Sequence, residues 1–165
     1  MFTLLLVPAI ILAAPSHGIP GCTEVRPGTF VLTGPMTAEV IEAMKSAKIT
    51  HVINLREDDE PGFNAEKECS AVSETGISYC RVALGRAPTN DDFDLFRMVR
   101  TGLPANARVL IHCADGNRAA AVTCAWMVLD ARMNSEEAIA VARQAGMARP
   151  ETEKALRRYL AHAKA

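Results

Sequence analysis

Along the chain, short apolar runs alternate with longer stretches in which apolar residues recur every three or four positions. Four runs have the length and composition of strands: Phe30-Val31-Leu32, His51 to Leu55, Ile77 to Ala83 and Val109-Leu110-Ile111. The stretches between them read as helices. Ala38 to Ala47 places Val40, Ile41 and Met44 on one face behind a Thr37 cap. Asn64 opens a helix through Val72, which Gly76 stops. Thr89 or Asn90 caps a third, beginning Asp91-Asp92 and carrying Phe93, Phe96, Met98 and Val99. Beyond Cys113 the chain is rich in Ala, with Val, Trp, Met and Leu and no Gly or Pro until well past Asp130, the pattern of a buried helix. Asn134 or Ser135 opens another over Glu136 to Ala145, and Pro150 opens a charged amphipathic helix from Glu151 to about Ala163.

This alternation predicts an α/β fold of three layers, a mostly parallel central sheet flanked by helices. His51 to Leu55 reads as a central strand and Ile77 to Ala83 as a further inner one, while the Pro/Gly-rich His17 to Gly28 reads as an extended, partly mobile lead-in. Functional loops of such sheets gather at the carboxyl ends of the strands. The Arg56–Glu60, Leu84–Pro88 and Cys113 loops are thus expected on one edge.

A chain of 165 residues suits one domain, and a net charge of −1 with no dense basic run gives no sign of a nucleic-acid partner. The apolar start, MFTLLLVPAIILAAPSHG, is too short and too interrupted by Pro8 and Pro15 to span a bilayer stably. It reads as a secretory signal cleaved after Ala13 or Ala14, which divides the chain into a leader and lead-in (1–21) and a single domain (22–165) and predicts a periplasmic or secreted protein. It lacks a positively charged first region, so a cytoplasmic location is the alternative. The five cysteines are spaced neither as a zinc site nor as a dense disulfide framework, so no metal or cofactor is implied. Cys69 and Cys80 are either a disulfide or separate, with Cys80 a small core residue.

The candidate chemistry lies in Arg108 to Met127, RVLIHCADGNRAAAVTCAWM, which reads strand, tight loop, helix. Cys113 ends the strand and Arg118 begins the helix. Free amides of a first helical turn and of a Gly-containing loop form a concave anion site, and a thiolate at its mouth is itself an anion those amides favour. Arg118 adds a cationic fork suited to planar oxyanions. The anion-binding set is therefore His112, Ala114, Asp115, Gly116, Asn117 and Arg118 around the nucleophile Cys113. The substrate class is a small-molecule or phosphorylated oxyanion.

Gly34 with its helix, the stretch Thr50 to Arg56, the acid Glu60 and His112-Cys113-Ala114-Asp115-Gly116-Asn117-Arg118 resemble a bacterial domain family labelled beta-lactamase hydrolase-like. Despite the label, that family is similar to dual-specificity and protein-tyrosine phosphatases, and the likeness covers roughly Val25 to Gly146. The resemblance implies a cysteine-phosphatase-like fold. In it Cys113 attacks phosphorus, Arg118 and the loop amides hold the equatorial oxygens, His112 tunes the thiolate and a separate acid protonates the leaving oxygen.

Three features of this chain bear on that chemistry. Four residues separate Cys113 from Arg118, where well-studied phosphatases keep five; four is the spacing of a rhodanese, a sulfurtransferase. Asp115 places a carboxylate in the loop, repelling a dianion unless it turns away or is protonated. The loop after Ala83, where the acid is expected, is Leu84-Gly85-Arg86-Ala87-Pro88. Asp58 is the catalytic acid candidate, with Glu60 and Asp92 as auxiliaries and Arg86 as a second cation over the pocket. Three readings follow: a cysteine-dependent phosphatase, a rhodanese-like sulfurtransferase, and an anion-binding module that does not turn over.

Overall fold

The computed structural model describes residues 14–15 and 18–163; the expected leader falls almost wholly outside them. Six strands form one sheet: β1 (Ala14–Pro15), β2 (Cys22–Arg26), β3 (Thr29–Leu32), β4 (His51–Asn54), β5 (Ser78–Arg81) and β6 (Val109–His112), in the order β1-β2-β3-β6-β4-β5. β3, β6, β4 and β5 run parallel, and β1 and β2 add two antiparallel strands at one edge. Six helices are α1 (Ala38–Ser46), α2 (Ala65–Ser73), α3 (Asn90–Thr101), α4 (Asn117–Leu129), α5 (Ser135–Gln144) and α6 (Pro150–His162). This is the expected three-layer architecture.

Alternation along the strands divides the core. Phe30, Leu32, Val52 and Leu110 face Val40, Ile41 and Met44 of α1 and Val72 of α2. Val31, Ile53, Val109 and Ile111 face Phe93 and Phe96 of α3 and the helices α4 to α6. α4 is buried on nearly every side, from Asn117 through Val128 apart from Trp126. It packs on the sheet and against α3, α5 and α6. A helix apolar all round belongs in a core, and its alanines let the neighbouring helices approach closely. The caps read from the sequence are present: Thr37, Asn64, Thr89 and Asn134 each accept backbone amides of the turn they precede.

Two expectations are corrected. The stretch 22–26 is not a mobile lead-in but a strand, paired with β3 from Cys22↔Leu32 to Arg26↔Thr29. Pro27-Gly28 makes the tight turn, with Gly28 at φ +76 and its amide donating to Glu24 Oε1 at 2.8 Å. β5 is an edge strand, not an inner one, and its residues are exposed or half-buried. All five cysteines are free, so Cys69 and Cys80 form no disulfide. Among the described residues no helix is long and apolar enough to cross a membrane, and no group of three or more His, Cys, Asp or Glu is placed to hold a metal ion.

Candidate active site

β6 ends at His112, the loop Cys113 to Gly116 follows, and α4 begins at Asn117. Gly116 caps α4 at φ +86, a conformation that disfavours a side chain. A Cβ there would lie 2.9 Å from Thr33 Cγ2 and 3.2 Å from Thr33 Cα. A Cβ at Gly146, at the corner between α5 and α6, would lie 2.8 Å from the same methyl. The loop after β3, the cysteine loop and the α5–α6 corner are therefore packed backbone to backbone.

Arg118 is buried, and its guanidinium joins the other two loops to this one. Nη1 donates to Glu60 Oε1 at 2.6 Å, to Leu84 O at 2.6 Å and to Leu55 O at 3.3 Å; Nη2 donates to Glu60 Oε2 at 2.9 Å. The loops after β4 and β5 are thus assembled at the cysteine loop by one side chain. Burial alone would lower the Arg118 pKa, but the Glu60 hydrogen bonds and the neighbouring Cys113 outweigh it and raise it. Nε–H and the second Nη2–H remain once these bonds are made.

Each acid nominated by the sequence has a partner. Glu60 is buried; burial would raise its carboxyl, but bonds from Arg118 and the Glu57 amide and the charges of Arg118 and Arg56 bring it down to about 2. A carboxyl so held stays ionised and cannot serve as a proton donor near neutrality. Asp92 closes the capping box of α3 with Thr89. Asp58 lies on an exposed loop, 2.8 Å from Arg81 Nη1. Asp115 accepts from the Asn117 amide at 3.1 Å through Oδ1, lies 3.7 Å from Cys113 Sγ through the same oxygen, and pairs with Arg149 through Oδ2. Arg86 is exposed, and Ala114 lies at the surface of the cysteine loop.

The Asn117 side chain is taken up by the α5–α6 corner. Its Oδ1 accepts from the amides of Ala148 and Arg149, both at 2.9 Å, and so straps the α5–α6 corner to the start of α4. Asn117→Ala is expected to cost about 1–3 kcal/mol by stranding these amides. The urea midpoint measures it, and an unchanged midpoint would show that the amides find other acceptors.

Sequence reasoning missed the support on the opposite face of the sheet. His112 points there, with Nε2 2.9 Å from Glu68 Oε1 but off the line of a hydrogen bond, and Nδ1 without a partner. The same Glu68 oxygen accepts from Asn54 Nδ2 at 2.6 Å and Tyr79 OH at 2.9 Å. Burial would raise the Glu68 carboxyl, but His112, Tyr79 and Asn54 together lower it. Glu68 also floors a cavity of about 430 Å³ lined by Met36, Ile41, Phe63 and Lys67. Only a polar Asn54 closing the apolar β4 hinted at such a network.

No family model matches the chain, and no curated protein matches it. Solved structures do. One, from Shewanella putrefaciens CN-32 and described as a candidate phosphatase (DUF442), is 20% identical with a TM-score of 0.72, over 88% of this chain and 94% of the other. Tk-PTP in its active form is 19% identical with a TM-score of 0.67, over 86% and 97%. A human tyrosine phosphatase-like serine/threonine/tyrosine-interacting protein is 21% identical with a TM-score of 0.65, over 87% and 98%. The chain therefore has the cysteine-phosphatase-like fold. The expected beta-lactamase hydrolase-like family assignment is corrected: the similar structures are phosphatases and phosphatase-like proteins, one of them DUF442, not lactamase-type hydrolases.

Proposed function

We propose that the protein is a cysteine-dependent phosphatase that cleaves phosphomonoesters with Cys113 as nucleophile. The observation that carries this reading is the placement of Cys113 just before the amino end of α4, on the same short loop as a buried Arg118 whose guanidinium retains two N–H donors. Those donors and the first-turn amides suit the equatorial oxygens of a phosphoryl group. Cys113 Sγ attacks phosphorus and the ester P–O bond breaks. With Glu60, Asp92 and Asp115 engaged elsewhere and Asp58 on an exposed loop beside Arg81, the leaving oxygen takes its proton from water. A second water then forms a P–O bond as the P–S bond breaks, releasing phosphate and the thiolate.

A leaving group that needs no proton should therefore be strongly preferred. The purified, reduced protein is expected to release phosphate from an aryl phosphate with an acidic phenol, to lose that activity in Cys113→Ser, and to be far slower on alkyl phosphates. A second reading, sulfur transfer, is favoured by the four-residue spacing from Cys113 to Arg118 and by the partnered acids, because transfer from thiosulfate protonates no alkoxide. Thiosulfate plus cyanide offered in parallel, with intact mass of any Cys113 adduct, separates the two. A gain of about one sulfur atom without phosphate release would overturn the phosphatase reading, and neither product nor adduct would leave an anion-binding module.

A further inference from the structure

Arg149 lies at the mouth of the cradle and belongs to none of the three loops that assemble around Arg118. Its main chain is anchored there independently of its charge, because the Arg149 amide donates to Asn117 Oδ1 at 2.9 Å. Its guanidinium pairs with Asp115 Oδ2, while Asp115 Oδ1 takes the Asn117 amide and sits 3.7 Å from Cys113 Sγ. The Asp115 carboxylate thus makes the contacts an oxyanion would make: one helix amide, one guanidinium and the rim of the nucleophile. Cys113 is only 1% exposed with the carboxylate in this position.

The charge of Arg118 does not serve an incoming anion in full, since Glu60 neutralises it through two short bonds. A second cation would add to the hold of this loop on a dianion. Arg149 is the one whose main chain is tied to the start of α4. The Asp115 and Arg149 side chains are 37% and 38% exposed, so the pair can part at the surface without moving any core residue.

We propose that Arg149 is an oxyanion-binding residue of the cradle, and that Asp115 is an internal carboxylate that occupies the site until an oxyanion displaces it. Asp115 then swings to solvent and Arg149 passes from the carboxylate to the incoming anion. In the same movement the anion takes the carboxylate's place over Cys113, so the thiol meets the bound oxyanion and stays covered from other reagents. The exchange makes entry selective: a ligand must carry enough negative charge to compete with a carboxylate already in place. This rests on the reading of the Cys113 loop as an oxyanion site, though not on its turning anything over.

The test uses the full chain and inorganic phosphate, read as protection of Cys113 against iodoacetamide, with the labelled peptide mapped by mass. Cys22 and Cys124 do not interfere, because burial pushes both thiols up to about 12. Asp115→Asn is expected to bind phosphate at least tenfold more tightly than the parent, and Asp115→Ser to do the same should the first variant fold poorly. Adding Arg149→Gln to either variant is expected to weaken phosphate binding at least fivefold. Unchanged or weaker binding in both Asp115 variants would overturn the role of the carboxylate. If Arg149→Gln has no effect once Asp115 is replaced, the arginine is only the partner of Asp115 and the proposal fails. The catalytic reading is judged separately: tighter phosphate binding without aryl phosphate turnover would sink that reading alone, and turnover with unaltered phosphate binding would sink this one alone.

Discussion

Replacing Glu60 with alanine is expected to destabilise the protein by about 3–5 kcal/mol, the range found when one partner of a buried ion pair is removed. Both Glu60 oxygens face the Arg118 guanidinium, and the two side chains are 7% and 4% exposed. Without Glu60, Arg118 keeps its charge in the interior with only the carbonyls of Leu55 and Leu84 as acceptors. Arg56 loses the same partner, and the Glu57 amide loses its acceptor. At about 2–4 °C for each kcal/mol in a domain of this size, the loss is plain in a thermal scan. A drop of less than about 1 kcal/mol in urea titration would show that water reaches the guanidinium.

The same pair sets an acid limit. The folded Glu60 carboxyl is held down to about 2, against about 4.3 in an unfolded chain. Its depressed value means the stabilisation is complete above the unfolded value and is lost as pH falls from there through about 2. Urea midpoints should hold near neutrality and fall below pH 4. Glu60→Gln, which cannot ionise, should show a shallower fall, and equal slopes would remove Glu60 from the account. Arg118→Ala, the obvious probe of anion binding, is by this argument a stability mutant as well. It leaves Glu60 buried and ionised with only Arg56 as a cation, so its loss of binding has to be read beside its loss of fold.

Gly116→Ala is expected to disable the cradle and to destabilise the fold by about 2–4 kcal/mol, combining a left-handed backbone that a Cβ disfavours with overpacking. The added carbon would overlap both the methyl and the Cα of Thr33, and the Cα belongs to backbone that cannot step aside. Either Thr33 retreats or the loop turns, and a turned loop re-aims the amides at the start of α4. Phosphate protection of Cys113 should fall by at least tenfold. Thr33→Ser in the same chain removes the methyl and should recover part of the stability, though little of the binding. Full protection by phosphate in Gly116→Ala would show that the loop has room.

The fold and the centre of the site were legible in the sequence for one reason: both depend on local patterns. The strand and helix periods gave the layers, and the strand–loop–helix of Val109 to Leu129 put Cys113 and Arg118 side by side. Where the reading failed, the deciding contact was distant or ambiguous. The Pro27-Gly28 turn read as a break because the strand before it, Cys22-Thr23-Glu24-Val25-Arg26, places its two apolar residues three apart and shows no alternation. Glu60 was visible as an acid beside the site, yet its role depends on Arg118 meeting it across two loops. Arg149 comes from a helix corner 34 residues beyond Asp115, and Glu68 from the polar side of a different helix. No spacing rule links such positions; only packing does.

The strap from Asn117 to the amides of Ala148 and Arg149 has a consequence for how the protein is made. A chain is built from its N-terminus and domains fold as their residues become available. Every strand of the sheet is present once His112 has been added, and α4 is complete at Leu129. The mouth of the cradle is not complete until residue 149, so a nascent chain holds Cys113 in an unfinished loop while the sheet already exists. Cys113, 1% exposed in the finished fold, is therefore left uncovered during synthesis and closes over only when the α5–α6 corner docks.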